Sequence, residues 1–217
     1  MDQALDAVPE GIDENLAVLR GIQALFNASE DVTRKEFDTF VSLFLEEEDG
    51  TQALEWIPRV KQEEREAFVR NIRRQGFDTF SIHPDSGSAE FIPVTYVLPL
   101  EPNLAALGFD LASNPSRLAA LERSSESGKL VATESIVLVQ ETGTQAGFLV
   151  FAPVYSSGNV PSTEQERRDT LAGFGLAVFR VGDFIDHALP GPAHTKFNLQ
   201  VFDSDGVQAM SLIYTNR

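Results

Sequence analysis

The chain has 217 residues, 42% of them hydrophobic and 23% charged, which is enough to bury a core and excludes a wholly disordered polypeptide. It contains no cysteine, so disulfides, thiolate metal sites and cysteine nucleophiles are excluded. Its 17 basic and 33 acidic side chains leave a net charge of −16, a field that repels phosphate backbones and anionic lipid and so argues against nucleic-acid partners.

The start, MDQALDAVPEG, carries neither the basic nor the apolar region of a secretory signal, and no apolar run reaches the roughly 20 residues that span a bilayer. From Asp13 to about Phe26, apolar Leu16, Leu19, Ile22, Ala24 and Phe26 recur at helical spacing. Ser29 or Thr33 is placed to cap a second helix with Phe37, Phe40, Val41, Phe44 and Leu45 on one face, ending in Glu46–Asp49 and Gly50. One long stalk helix with a break near Asn27 is the alternative. ALEWIPRV follows, and Pro58 disfavours helix at Ile57, so this stretch is expected to turn the chain out of the stalk, with Trp56 as a core anchor. A third helix runs from Lys61 to about Gln75 and stops at Gly76; Arg65, Glu66, Arg70 and Arg73 are expected on its solvent face as i,i+4 pairs.

Beyond Gly76 the period changes. FDTFSIHP and FIPVTYVLPL, separated by DSGS, predict a hairpin. NPSRLAALERSSESG predicts a helix capped by Asn114, with Pro115 in its first turn and Gly128 as its stop. LVATESIVLVQ and AGFLVFAPVY predict a second strand pair joined by ETGTQ. SSGNVPSTEQERRD is a loop or short helix, LAGFGLAVF a strand, and VGDFIDHAL a short helix before the breaker PGPA. The end, FNLQVFDSDGVQAMSLIY, predicts a hairpin turning at Asp205-Gly206. The order predicts an α+β fold with antiparallel sheets.

Catalytic patterns are missing from this string. His83, His187 and His194 are scattered without metal-ligand spacing. There is no G-x-S-x-G, no P-loop and no G-x-G-x-x-G after a strand; the glycines of AGFGLA are expected to permit close packing. Glu63, Glu64 and Glu66 belong to a polar helix face, and DSDG is accounted for as a turn rather than a calcium loop. No cofactor or metal is expected, and the domain is not expected to be an enzyme.

A series of segments nevertheless carries a resemblance. ALEWIPRV with EREAF and QGFDTFSI comes first, then FIPVTYVLPLEPN, LGFDLASNPSR, ESGKLVATESIVLVQE, GFLVFAPVY and LAGFGLAVFRVGDFI. In this order, over residues 37 to 185, they resemble the CHASE domain, a sensor module of bacterial histidine kinases and diguanylate cyclases and of plant cytokinin receptors. The resemblance implies a long N-terminal helix followed by PAS-like antiparallel sheets: stalk helices over 1–50, a membrane-distal ligand-binding subdomain over 51–180, and part of a membrane-proximal one over 181–217. It further implies an excised ectodomain on the periplasmic or extracellular face of the bacterial inner membrane, normally flanked by transmembrane helices. Such a domain is a homodimer through its N-terminal helices and binds a small molecule, the enzymatic output lying elsewhere in the protein.

By motif, the family's pocket falls on Arg117, Thr133, Val139 and Phe151. Two departures argue against cytokinin: the family's acidic residue is replaced by Arg117, and a small polar residue by Phe151. Arg117 suits a carboxylate or other anion, or else pairs with Glu101, Asp110 or Glu134. Tyr96 and Tyr155 can turn hydroxyls inward or pack in the core. A ligand-free interaction ectodomain, its pocket plugged by Phe148 or Phe151, is the competing reading; a hydrolase or isomerase needs convergent acid/base residues that the sequence does not offer.

Overall fold

The computed structural model describes residues 16–29, 31–45, 50–139, 146–188, 200–204 and 210–215. Helix α1 covers residues 16–27 and α2 runs Arg34–Leu45. Thr33 and Glu36 bond reciprocally in front of α2, so Thr33 is its cap. The acidic run after Leu45 lies outside the described residues, as do ETGTQ, PGPA and the Asp205-Gly206 turn.

ALEWIP is not an exit from a helix. It is strand β1 (Thr51–Pro58), inside the main sheet. β-Branched and aromatic residues favour the pleat here, and Pro58 sits at the strand end where it removes no ladder bond. The chain continues through β2 (Val60–Lys61), α3 (Arg65–Arg74), β3 (Glu90–Phe91) and β4 (Tyr96–Leu98). Then come α4 (Pro115–Ser127), β5 (Val131–Ala132), β6 (Gly147–Tyr155), α5 (Glu164–Thr170) and β7 (Leu171–Arg180). Helix α6 (Val181–Ala188) and the hairpin β8 (Gln200–Ser204) with β9 (Met210–Thr215) complete the described elements. The architecture is α+β: one five-stranded antiparallel sheet in the order β4-β1-β7-β6-β5, and two small two-stranded sheets.

Both faces of the large sheet are covered. Along β1, Leu54 and Trp56 point to one side and Ala53 and Ile57 to the other, as the two-residue period requires. On the first side α1 and α2 pack with Val18, Leu19, Ile22, Phe37 and Val41, and Phe26 stacks on Trp56 with ring centroids 3.7 Å apart. On the second side lies α4, whose Ala120 and Leu121 join Leu111, Phe151, Phe174 and Leu176 in a separate core. Asn114 Oδ1 accepts from the backbone N–H of Ser116 and of Arg117, and Gly128 closes the helix at φ 71°, so α4 forms as its punctuation predicts.

Two expected strand pairs do not form as predicted. FDTFSIHP is irregular: Phe80 and Ile82 sink into a third cluster with Ile72 and Phe91, and two of the segment's carbonyls accept from arginine side chains. Arg73 Nε donates to Phe80 O at 2.9 Å and Arg65 Nη2 to Ile82 O at 3.1 Å. These two arginines therefore tie α3 to its neighbour rather than forming i,i+4 pairs, Arg65 also pairing with Asp85, whereas Arg70 does pair with Glu66 at that spacing. Similarly, only Val131–Ala132 of LVATESIVLVQ pairs with β6, after which the chain leaves the ladder except for an isolated bridge at Ile136.

The AGFGLA glycines do permit close approach. At Gly175 an added Cβ would meet Ile22 Cγ2 at 2.7 Å, and at Gly173 the Ile57 carbonyl oxygen at 2.5 Å. Gly175 faces Ala152 across the ladder, so α1 rests on a platform of two small residues. Within a strand Gly→Ala ordinarily stabilises by about 0.5–1 kcal/mol. Here overpacking reverses the sign, and Gly175→Ala is expected to destabilise by about 1–3 kcal/mol. The measurement is a urea titration read by circular dichroism, and a midpoint at or above wild type would show that α1 does not bear on this residue.

Candidate functional site

Glu55 sits between Ala53 and Ile57 on β1, so the alternation that turns Leu54 and Trp56 toward α1 turns Glu55 toward α4. It is 2% exposed. Facing it from the first turn of α4 is Arg117, 5% exposed. The Asn114 cap sets the path of that turn and thereby the direction of Arg117.

Arg117 is held on two sides. Its Nη2 donates to the Val137 carbonyl at 3.1 Å, and its guanidinium lies 5.0 Å from the centroid of the Phe109 ring. Its Nε is buried without a hydrogen-bond partner among the described residues. Three local costs meet here: a cation taken from water, a donor left unpaired, and a positive charge at a helix N-terminus, which the macrodipole disfavours. A residue placed against so many local preferences is a functional candidate.

Between the two side chains is a small cavity of about 20 Å³, room for about one water. Its other walls are apolar, including Val94, Phe109, Leu138, Val139 and Leu176. Burial pushes the Glu55 carboxyl up to about 8, only partly opposed by the Arg117 charge, so the acid is mostly neutral near pH 7. Burial lowers Arg117 while Glu55 raises it; a guanidinium remains cationic regardless. A much larger hollow, about 710 Å³ and open to solvent, lies on the opposite face beside Phe26, Trp56 and Asn71. Size favours that hollow, but the buried charges are in the small cavity, and the small cavity is the candidate.

Of the residues expected at a ligand site, Arg117 and Val139 line the cavity. Phe151 and Thr133 belong to the same side of the sheet and serve its packing. Phe151 is fully buried, edge-on to Phe174 at 6.0 Å. Thr133 Oγ1 accepts from Leu149 N at 3.1 Å. Tyr96 is on the other face, where its hydroxyl donates to Val32 O at 3.2 Å and its ring packs on Phe37. The Tyr155 hydroxyl donates to Ser125 O at 2.7 Å, and burial pushes its pKa up to about 12. Phe148, one of the two expected plugs, also turns away, stacking on Phe179. The charge acting on Arg117 is Glu55, not Glu101, Asp110 or Glu134; Asp110 Oδ1 instead accepts from Ile92 N and Ala112 N. Glu55 itself escapes a reading of ALEWIPRV as a helix exit. The signal that finds it is the strand alternation, which puts one carboxylate in line with Ala53 and Ile57.

Comparison with known proteins adds to this geometry. The family model of the CHASE domain matches residues 30–214. The chain is also similar to Hybrid signal transduction histidine kinase A of Dictyostelium discoideum, 20% identical over 218 aligned positions. That alignment covers 93% of this chain and 10% of the relative, so the chain spans about a tenth of that protein's length.

The buried acid has a measurable consequence. Because the folded state holds a proton on Glu55, its contribution to stability is complete below the ordinary glutamate range near 4.5 and is lost as pH rises through about 8. Glu55→Gln is neutral throughout, so its stability relative to wild type is expected to rise by a few kcal/mol between about pH 5 and about pH 9. Urea titrations at the two pH values check this, and a constant difference would show that Glu55 is not a buried neutral acid.

Proposed function

This chain belongs to the CHASE domain family, and from that premise we propose that it is the extracytoplasmic sensory domain of a membrane-bound receptor of the histidine kinase or diguanylate cyclase type. In this reading a small anionic ligand enters the cavity between β1 and α4 and binds Arg117. The observation that carries it is the buried Arg117 Nε, a cationic donor beside a largely apolar cavity without an acceptor among the described residues. A native core leaves few such atoms, and an anion supplies the missing acceptor.

The fold offers a route from that cavity to the N-terminal helices. Val94 lines the cavity, and the next residue, Thr95, accepts from Arg34 Nη2 of α2 at 2.6 Å through its carbonyl. The Arg34 guanidinium lies over the rings of Phe77 and Tyr96, at 4.0 and 4.7 Å. A shift of the segment before β4 therefore bears directly on α2. In the proposed mechanism a homodimer through the N-terminal helices passes this shift toward the membrane, and ligand occupancy biases the arrangement of the helices. Leu43, 64% exposed on α2, is an apolar contact available to such a dimer. The kinase or cyclase output belongs to a part of the receptor outside this chain.

A second reading, a ligand-free dimerisation or protein-interaction ectodomain, is favoured by one observation: Phe151 packs fully into the core and the remaining cavity is only about 20 Å³. The discriminating experiment is a thermal-shift screen of small anions, amino acids and purines. A ligand at a hundred times its Kd is expected to add about 2.7 kcal/mol, a rise of several degrees, and Arg117→Ala to abolish the response. No response across the set, from a protein that is dimeric by light scattering, would transfer the assignment to the interaction ectodomain.

A further inference from the structure

Among the described residues, the charge of the small cavity is set by Glu55 and Arg117. The other side chains lining it, from the segment before β4, residues 106–111, the 133–139 segment, β6 and β7, are apolar. Asp110, at the start of the approach to α4, spends one oxygen on the N–H groups of Ile92 and Ala112. With Glu55 ionised the pair is neutral, and an arriving monoanion would leave one uncompensated negative charge in an apolar enclosure, a costly arrangement. With Glu55 protonated the pair carries one positive charge, which a monoanion cancels.

Donor chemistry leads to the same stoichiometry. Arg117 Nε lacks an acceptor among the described residues, and a protonated Glu55 adds an O–H donor, so two donors meet the two oxygens of a carboxylate. An ammonium group would bring three donors and find one carboxylate among the lining side chains.

Building on the sensory reading above, we propose that this pocket captures a small monocarboxylate on Arg117 together with a solvent proton held on Glu55, so that the domain reads the anion and acidity jointly. The burial that raises the Glu55 carboxyl prepares the empty site to hold that proton. Room for the ligand comes from the 133–139 segment. Arg117 Nη2 holds the carbonyl of Val137, a residue 75% exposed, and Leu138 and Val139 beside it form part of the cavity wall. A carboxylate that engages the guanidinium competes with that carbonyl, so the wall yields at this segment while the sheet stays in place.

The test uses acetate as the probe and glycine as its zwitterionic counterpart. Each is titrated into the protein while the ¹⁵N resonance of Arg117 Nε is followed at about pH 7, and calorimetry is run at about pH 7 and about pH 9 in two buffers of different ionisation enthalpy. Acetate is expected to move the Arg117 resonance, to bind about tenfold more weakly at the higher pH, and to take up close to one proton there. Glu55→Gln is expected to keep acetate binding and lose its pH dependence. Equal affinity at the two pH values, a slope that survives in Glu55→Gln, or tighter binding of glycine than of acetate would overturn the proposal. So would an Arg117 resonance that responds to neither probe. If folded Arg117→Gln bound acetate like wild type, the pocket assignment itself would fall; if it lost binding and wild type showed no slope, the proton linkage alone would fall.

Discussion

Everything in this molecule depends on burying both faces of a single antiparallel sheet. An antiparallel sheet commonly leaves one face to water and then alternates apolar with polar residues. Strand β7 cannot alternate in this way, since residues 173–179 are all buried. One set of its side chains meets α4 and the other meets α1 and α2. Gly175 of β7 belongs to the same constraint: with α1 pressed on the sheet, this position has no space for a Cβ. The N-terminal helices are thus part of the core of the sensory unit, and their position is set by the same sheet that carries Glu55.

This constraint explains what the sequence reveals and what it hides. The capping residues of α4, the helical spacing of α1 and α2, and the long apolar runs of β6 and β7 are local signals and were legible. SSGNVPSTEQERRD was open between loop and helix, and the Thr163 to Glu166 capping box that starts α5 decides it. The two-residue strands were not. β2, β3 and β5 are too short to carry a period, and their pairing is decided by which neighbour arrives. FDTFSIHP has strand-like composition, yet two of its carbonyls go to Arg65 and Arg73, a tertiary choice that no local pattern announces. The family and the α+β class were legible from ordered motifs. Glu55 is hidden when ALEWIPRV is read as a boundary, where the face of a side chain has no meaning.

At the site, two ionisable groups occupy a region otherwise made of aliphatic and aromatic carbon. A pair so enclosed is weak evidence for stability, because desolvation offsets much of its mutual attraction. It is better understood as a specification of charge: the enclosure admits a cation and an acid, and the protonation of the acid sets the net charge. The resemblance placed Arg117 near this point, and strand β1 sets Glu55 opposite it, where burial raises the acid and the cation partly opposes that rise. Phe151 and Thr133 belong to the same face and serve its packing.

Trp56, the chain's single tryptophan, stands with its indole face to face with Phe26 of α1 at 3.7 Å and is only 8% exposed. Its emission therefore originates from one place, the seam between the sheet and the first helix. The molecule carries a native optical gauge of that seam: the wavelength and quenching of one indole follow the seating of α1 without any label.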